Sequence, residues 1–234
     1  MLKWLLKCCT LLLLSSCGSL MHPGIISMPH LKQKGDVQMA AQYMGQEQGD
    51  EGAFGHMAYA WSDEWGVVLA GGYMTNARRI EPNSRKTAGC YEVGIIRQLG
   101  AERANPFTTN SLQFGFGQNY GRMAFYNDPM WTYSQNQLYL QGNSRHNFTE
   151  DLAVSFGLRL GANAMFWAAV SDNPSPIQRD LQPFAMSATT MVQIERFYGP
   201  FSLSFIFQPT YRLSQREVMV PTNPFNLGVR WNLK

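Results

Sequence analysis

Leu152, Val154, Phe156, Leu158 and Leu160 alternate with Ala153, Ser155, Gly157, Arg159 and Gly161. A period of two held that long describes a β-strand with one apolar and one polar face, and no helix can present it. The same pattern recurs near 36–44, 53–61, 65–74, 90–99, 112–117, 132–141, 186–194, 201–207 and 225–233. Most of these segments have about the 9 to 11 residues that a tilted strand needs to cross a bilayer. The weakest is 132–141, where Gln135, Gln137, Tyr139 and Gln141 oppose only Leu138 and Leu140. No stretch sustains a helical period, so the chain reads as all-β with about ten strands, eight being the other count the pattern admits.

Alternation alone leaves two architectures. A soluble sandwich or barrel buries the apolar face, whereas a membrane barrel turns it to lipid and lines its lumen with small and polar residues. The joins favour the second. Short joins at 62–64, 100–106, 142–151 and 196–200 alternate with mostly longer ones at 75–88, 118–131, 167–183 and 213–224. That is the arrangement of an up-and-down barrel with tight turns at one end and long loops at the other. Aromatic residues sort the same way. Trp61, Trp65, Phe148, Phe197, Tyr198, Phe201 and Trp231 fall near the short joins, and Tyr43, Tyr73, Tyr120, Tyr133, Phe166, Phe184, Tyr211 and Phe225 near the long ones. Two such girdles match two membrane interfaces.

The N-terminus addresses the chain. Lys3 and Lys7 precede the apolar stretch from Cys8 to Leu14, and Leu14-Ser15-Ser16-Cys17 follows. The run is too short to span a bilayer as a helix, and its ending in small residues reads as a cleaved signal. The order leucine, small, small, cysteine resembles the lipobox of bacterial lipoproteins. That resemblance implies removal of residues 1–16 and lipidation of Cys17. Gly18 follows where inner-membrane lipoproteins often carry Asp, which implies export to the outer membrane. Residues 17–34, with Pro23, Gly24 and Pro29, read as a periplasmic tether, and 35–234 as the barrel. An even strand count leaves both ends of the barrel chain on the periplasmic side.

The last strand carries a second resemblance. Asn226-Leu227-Gly228-Val229-Arg230-Trp231-Asn232-Leu233 fits the assembly signal of bacterial outer-membrane barrels, with Asn226, Gly228, Trp231 and Leu233 at its defining positions. Lys234 stands beyond it, departing from the usual terminal aromatic. With Pro29-His30-Leu31-Lys32-Gln33-Lys34-Gly35 leading into the first strand, the whole resembles the uncharacterised small outer-membrane β-barrel lipoproteins of Bacteroidota. The implied partners are outer-membrane lipids and the barrel-assembly machinery, with an external ligand or protein at the long loops.

Composition narrows the chemistry. The formal net charge is +3 and the signal takes Lys3 and Lys7 with it, so the mature chain is nearly neutral and carries no basic stripe for nucleic acid. Cys90 is left alone once Cys8 and Cys9 are removed and Cys17 is acylated, which excludes a disulfide within the chain. His22, His30, His56 and His146 make no metal-ligand spacing. Asp63-Glu64 and Glu150-Asp151 fall in expected turns, and Asp172-Asn173-Pro174 lacks the glycine and distal glutamate of a calcium loop. No nucleophile elbow or P-loop occurs, so neither an enzyme nor a cofactor is expected.

The informative charges are Glu92, Arg159, Glu195 and Arg230, which strand parity turns inward with Gln98, Gln113 and Gln193. They are expected to form a lumen network filling a narrow barrel. The expected role is structural, adhesive or small-solute binding or transport. The alternatives are a barrel enzyme acting on lipid A or peptides, for which His56 is the sole strand histidine, and a lipid-tethered, lipocalin-like soluble barrel.

Overall fold

The computed structural model describes residues 28–45, 50–76, 86–100, 107–124, 130–169, 184–208, 210–212 and 225–233. Cys17, Asp172 and most of the long-loop residues lie outside the described residues. Within them the chain forms β1 (Val37–Gly45), β2 (Asp50–Ala60), β3 (Trp65–Asn76), β4 (Lys86–Leu99), β5 (Thr108–Ala124), β6 (Met130–Asn147), β7 (Leu152–Ala169), β8 (Phe184–Tyr198), β9 (Phe201–Phe207), β10 (Thr210–Arg212) and β11 (Phe225–Leu233). Consecutive strands pair antiparallel from β1 to β9. The last strand, β11, inserts between β9 and β1 and closes the cylinder. Both β9 and β10 pair with successive stretches of β8, so they are two halves of one barrel strand. Pro209 lies between them in sequence, and proline has no N–H to give a ladder. Among the described residues the result is a closed ten-strand antiparallel barrel with no helix.

The side chains sort by parity. Leu112, Phe114, Phe156, Leu158, Leu160 and Leu203 are exposed on the outside, while the intervening Gln113, Ser155, Arg159 and Ser202 are buried within. The ambiguous segment resolves the same way, with Leu138 and Leu140 outside and Gln135, Gln137, Tyr139 and Gln141 inside. Both aromatic rims are present. Trp61, Trp65, Phe148, Tyr198, Phe201 and Trp231 are exposed at the short-turn end, and Tyr43, Tyr73, Tyr120, Phe166 and Phe184 at the other. Phe197 departs from the expected girdle, because its parity turns it inward, where the Arg145 guanidinium lies 4.7 Å from its ring centroid.

Several strands outrun their expected limits. β6 and β7 have 18 residues each and β5 has 17. The join expected at 142–151 shrinks to 148–151, which places Arg145 and His146 on β6 and not in a turn. At the next short turn Gly199, with φ +67°, supplies the left-handed residue of the two-residue Gly199-Pro200 loop between β8 and β9.

Candidate functional site: a filled and plugged lumen

Lumen-facing residues decide what a barrel can pass or hold, and here they crowd the axis. Tyr139 reaches from β6 across the wall of β4 and β5. A Cβ added to Gly115 would lie 2.5 Å from its hydroxyl, and one added to Gly94 would lie 2.8 Å away. Those glycines make room for the ring. Gln113 Nε2 donates to the Tyr139 hydroxyl at 2.7 Å, and the Arg159 guanidinium lies 3.8 Å over the ring.

The four charges singled out by parity all face inward, and they form two networks. In the first, Arg159 Nη1 donates to Glu92 Oε1 at 2.8 Å and Arg159 Nε to Gln141 Oε1 at 2.8 Å. Gln141 continues to Asn143 at 2.8 Å, and Asn143 to Ser111 at 3.2 Å. Arg159 and Glu92 are only 2% and 5% exposed. In the second, Arg230 Nη1 donates to Glu195 Oε2 at 3.0 Å, and Ser202 Oγ donates to Glu195 Oε1. Arg145 joins from β6, its Nη1 3.4 Å from the same Glu195 Oε2. Placing 142–151 in a turn hides Arg145. Continuing the parity of Gln137, Tyr139, Gln141 and Asn143 would have found it.

The larger departure concerns the expected tether, whose described end is a plug. Gly35, with φ +89°, turns the chain between β1 and the segment before it. Lys34 N donates to Asp63 Oδ1 at 2.8 Å, at the level of the short turns. Four residues earlier His30 Nε2 lies 3.0 Å from Ser155 Oγ, and His30 N donates to Gln38 Oε1 at 3.0 Å. Deeper still, Met28 packs on Met191, and its carbonyl accepts from Arg230 Nη2 at 3.1 Å. Read backwards from Gly35, the segment descends steadily into the lumen. The wall is shaped to take it. Leu31 packs with Ala58, Ala60, Val68 and Ile96, and its Cδ1 lies 2.6 Å from where a Gly66 side chain would begin. Proline and glycine mark a break in regular structure but do not tell a free tether from a docked one.

His30 gives the plug a pH dependence. Burial first, and then Arg145, Arg230, His56 and Lys32, hold its pKa well below the ordinary 6.5. A released plug would titrate near 6.5, so below that pH the released form binds the extra proton. Docking is therefore at full strength above about pH 6.5 and weakens as pH falls toward the docked pKa, by up to about tenfold per pH unit. Hydrogen exchange of residues 28–34, corrected for the intrinsic pH dependence of exchange, should quicken between pH 7 and pH 5. Protection independent of pH would show that His30 does not couple to docking.

Among the described residues no group of three or more His, Cys, Asp or Glu side chains is placed to hold a metal ion. His56 is buried on β2 with no hydrogen-bond partner at either ring nitrogen, and Cys90 is a buried thiol in no disulfide, its Sγ donating to the Gly72 carbonyl at 3.8 Å. Gly228 of β11 faces the lumen beside Ser204, and Trp231 is exposed and packs on Phe201 with ring centroids 4.9 Å apart. The side chains of Asn226 and Leu233 lie outside the described set, although their backbones pair with β9 and β1 respectively.

No family profile and no curated protein matches the chain. Among solved structures it is similar to the translocator domain of the autotransporter NalP from Neisseria meningitidis, at 12% identity, 87% of this chain, 90% of that one and a TM-score of 0.50. The β domain of the Bordetella autotransporter BrkA covers 86% of this chain and 99% of its own at 9% identity, with a TM-score of 0.48. The NanC porin covers 85% and 100% at 10% identity, with a TM-score of 0.40. At such identities the likeness to the NalP domain speaks to the fold alone, an outer-membrane-type β-barrel.

Proposed function

We propose that the chain is a lipid-anchored barrel of the bacterial outer membrane, of the uncharacterised Bacteroidota type, with a structural or binding role and a lumen closed by its own residues. The observation that carries this is the distribution of side chains. Phe114, Leu138, Phe156 and Leu203, each more than half exposed, form a continuous apolar band between two aromatic rims, while glutamines and ion pairs fill the interior. In water that band would be a large sticky surface. In a bilayer it is the required one.

The short-turn end then faces the periplasm and the longer joins face outward, which leaves the plug entering from the periplasmic mouth. Outer-membrane lipids and the assembly machinery, reading β11, are the partners this reading requires. The glutamines and ion pairs that crowd the described lumen support a structural or binding role. The anchor is tested by replacing Cys17 with Ala, which should abolish metabolic labelling with palmitate and leave the folded barrel heat-modifiable on unboiled gels. Persistent labelling would remove the lipid anchor from this reading, and a protein fully soluble without detergent would remove the membrane.

A further inference from the structure

Among the described side chains the lumen holds three guanidinium groups, on Arg145, Arg159 and Arg230, against two carboxylates, on Glu92 and Glu195. Arg159 and Glu92 balance each other. Glu195 is divided between Arg230 at 3.0 Å and Arg145 at 3.4 Å, so among the described side chains the lumen carries one more positive charge than negative. An unbalanced charge is costly where water is scarce, and a bound anion would neutralise it. Arg145 is the looser partner and the one nearer the short-turn mouth. Its Nε is held by Asn147 Oδ1 at 3.0 Å and its plane by Phe197, which fixes the guanidinium while leaving donors unclaimed.

This residue lines a cavity of about 910 Å³ between the plug and the wall, with His30, Lys32, Phe107, Asn147 and Phe197. The size is that of a small-molecule site. Two carboxylates stand at its edge. Asp36 already accepts the backbone N–H groups of Lys32 and Gln33, and Glu150 is exposed in the β6–β7 turn. Among the described residues Arg145 forms its ion pair with Glu195 and not with either of these.

We propose that the cavity binds a small organic carboxylate carrying a flat apolar group. The carboxylate takes the Arg145 donors that Asn147 and Glu195 do not hold, through a charge-assisted hydrogen bond. The apolar part lies against Phe107 and Phe197. The inference rests on the reading of the lumen as closed, since in an open, ion-filled pore mobile anions would neutralise Arg145 without a site.

Equilibrium dialysis of 2-naphthoate against the full-length protein in nanodiscs, with empty nanodiscs subtracted, tests it. One saturable site is expected, with the uncharged 2-naphthamide binding at least tenfold more weakly. Arg145→Gln should weaken naphthoate at least tenfold, Arg145→Lys should retain part of the affinity, and Phe107→Ala at the exposed rim should cost several-fold without disturbing the fold. No saturable naphthoate binding, or equal binding of acid and amide, overturns the proposal on the wild-type protein even if Arg145→Gln does not fold. Conductance in planar bilayers reads the closed lumen separately. Channels in the wild type would overturn that reading, and with it the case for a dedicated site over mobile anions.

Discussion

Replacing Arg159 by Leu should lower the unfolding free energy of the barrel in lipid or detergent by about 3–5 kcal/mol, the range for breaking a buried pair from one side. Glu92 would be left at 5% exposure with its 2.8 Å partner gone, forced to bury an unpaired charge or to take up a proton, and Tyr139 would lose the cation stacked on it. Most of that cost belongs to the stranded carboxylate. The double replacement of Arg159 and Glu92 by Leu should therefore recover much of it, as apolar substitutes for whole buried pairs commonly do. Reversible urea titrations of the single and double variants measure both quantities. A single-variant loss under about 1 kcal/mol, the level of a solvated pair, would show that water reaches the pair and the lumen is wetter than its packing implies.

Leu158 is the next residue along β7 and points the other way, at 48% exposure. Arginine there should cost about 2–4 kcal/mol if the outer face meets lipid near the midplane, and about 0–1 kcal/mol at an interfacial position such as Phe148. The contrast between the two positions carries the information, since refolding into vesicles of fixed composition subtracts general effects of the substitution. A soluble barrel would respond differently, with a charge at Leu158 neutral or helpful because it would break an exposed apolar patch. Equal costs at Leu158 and Phe148 would remove the depth dependence on which the bilayer reading rests.

Strand identity and facing were legible because a period of two survives any uncertainty about ends. Leu152 to Gly161 sorted inside from outside without any knowledge of neighbours. Strand ends were less legible, for a reason peculiar to barrels. Gly142, Asn143 and Ser144 are turn-forming types, yet a lumen wall also selects small and polar residues, so composition stops marking loops just where strands run long. That substitution of one meaning for another also concealed Arg145. Partner choice could not be read at all, because whether Arg159 meets Glu92 or Glu195 depends on the stagger of strands three apart around the wall. The plug was invisible for a related reason. Met28 and Leu31 look like stray apolar residues in a linker, and the seat built from Gly66, Ala58 and Ala60 assembles only when β2 and β3 pair.

The inward course of residues 35 to 28 would tie together two things otherwise separate, the proposed lipid anchorage and the barrel's stopper. Cys17 stands eleven residues before Met28. At about 3.3–3.6 Å per residue that length reaches roughly 40 Å when fully drawn out. A lipid on Cys17, as proposed, would thus be on a short leash whose other end is the Met28 carbonyl bound by Arg230, itself the partner of Glu195. With the proposed lipid on Cys17, tension on the acyl chains would be delivered to the stopper before it reached any strand, and the part of the molecule first to feel a pull from the membrane would be the part that fills the hole.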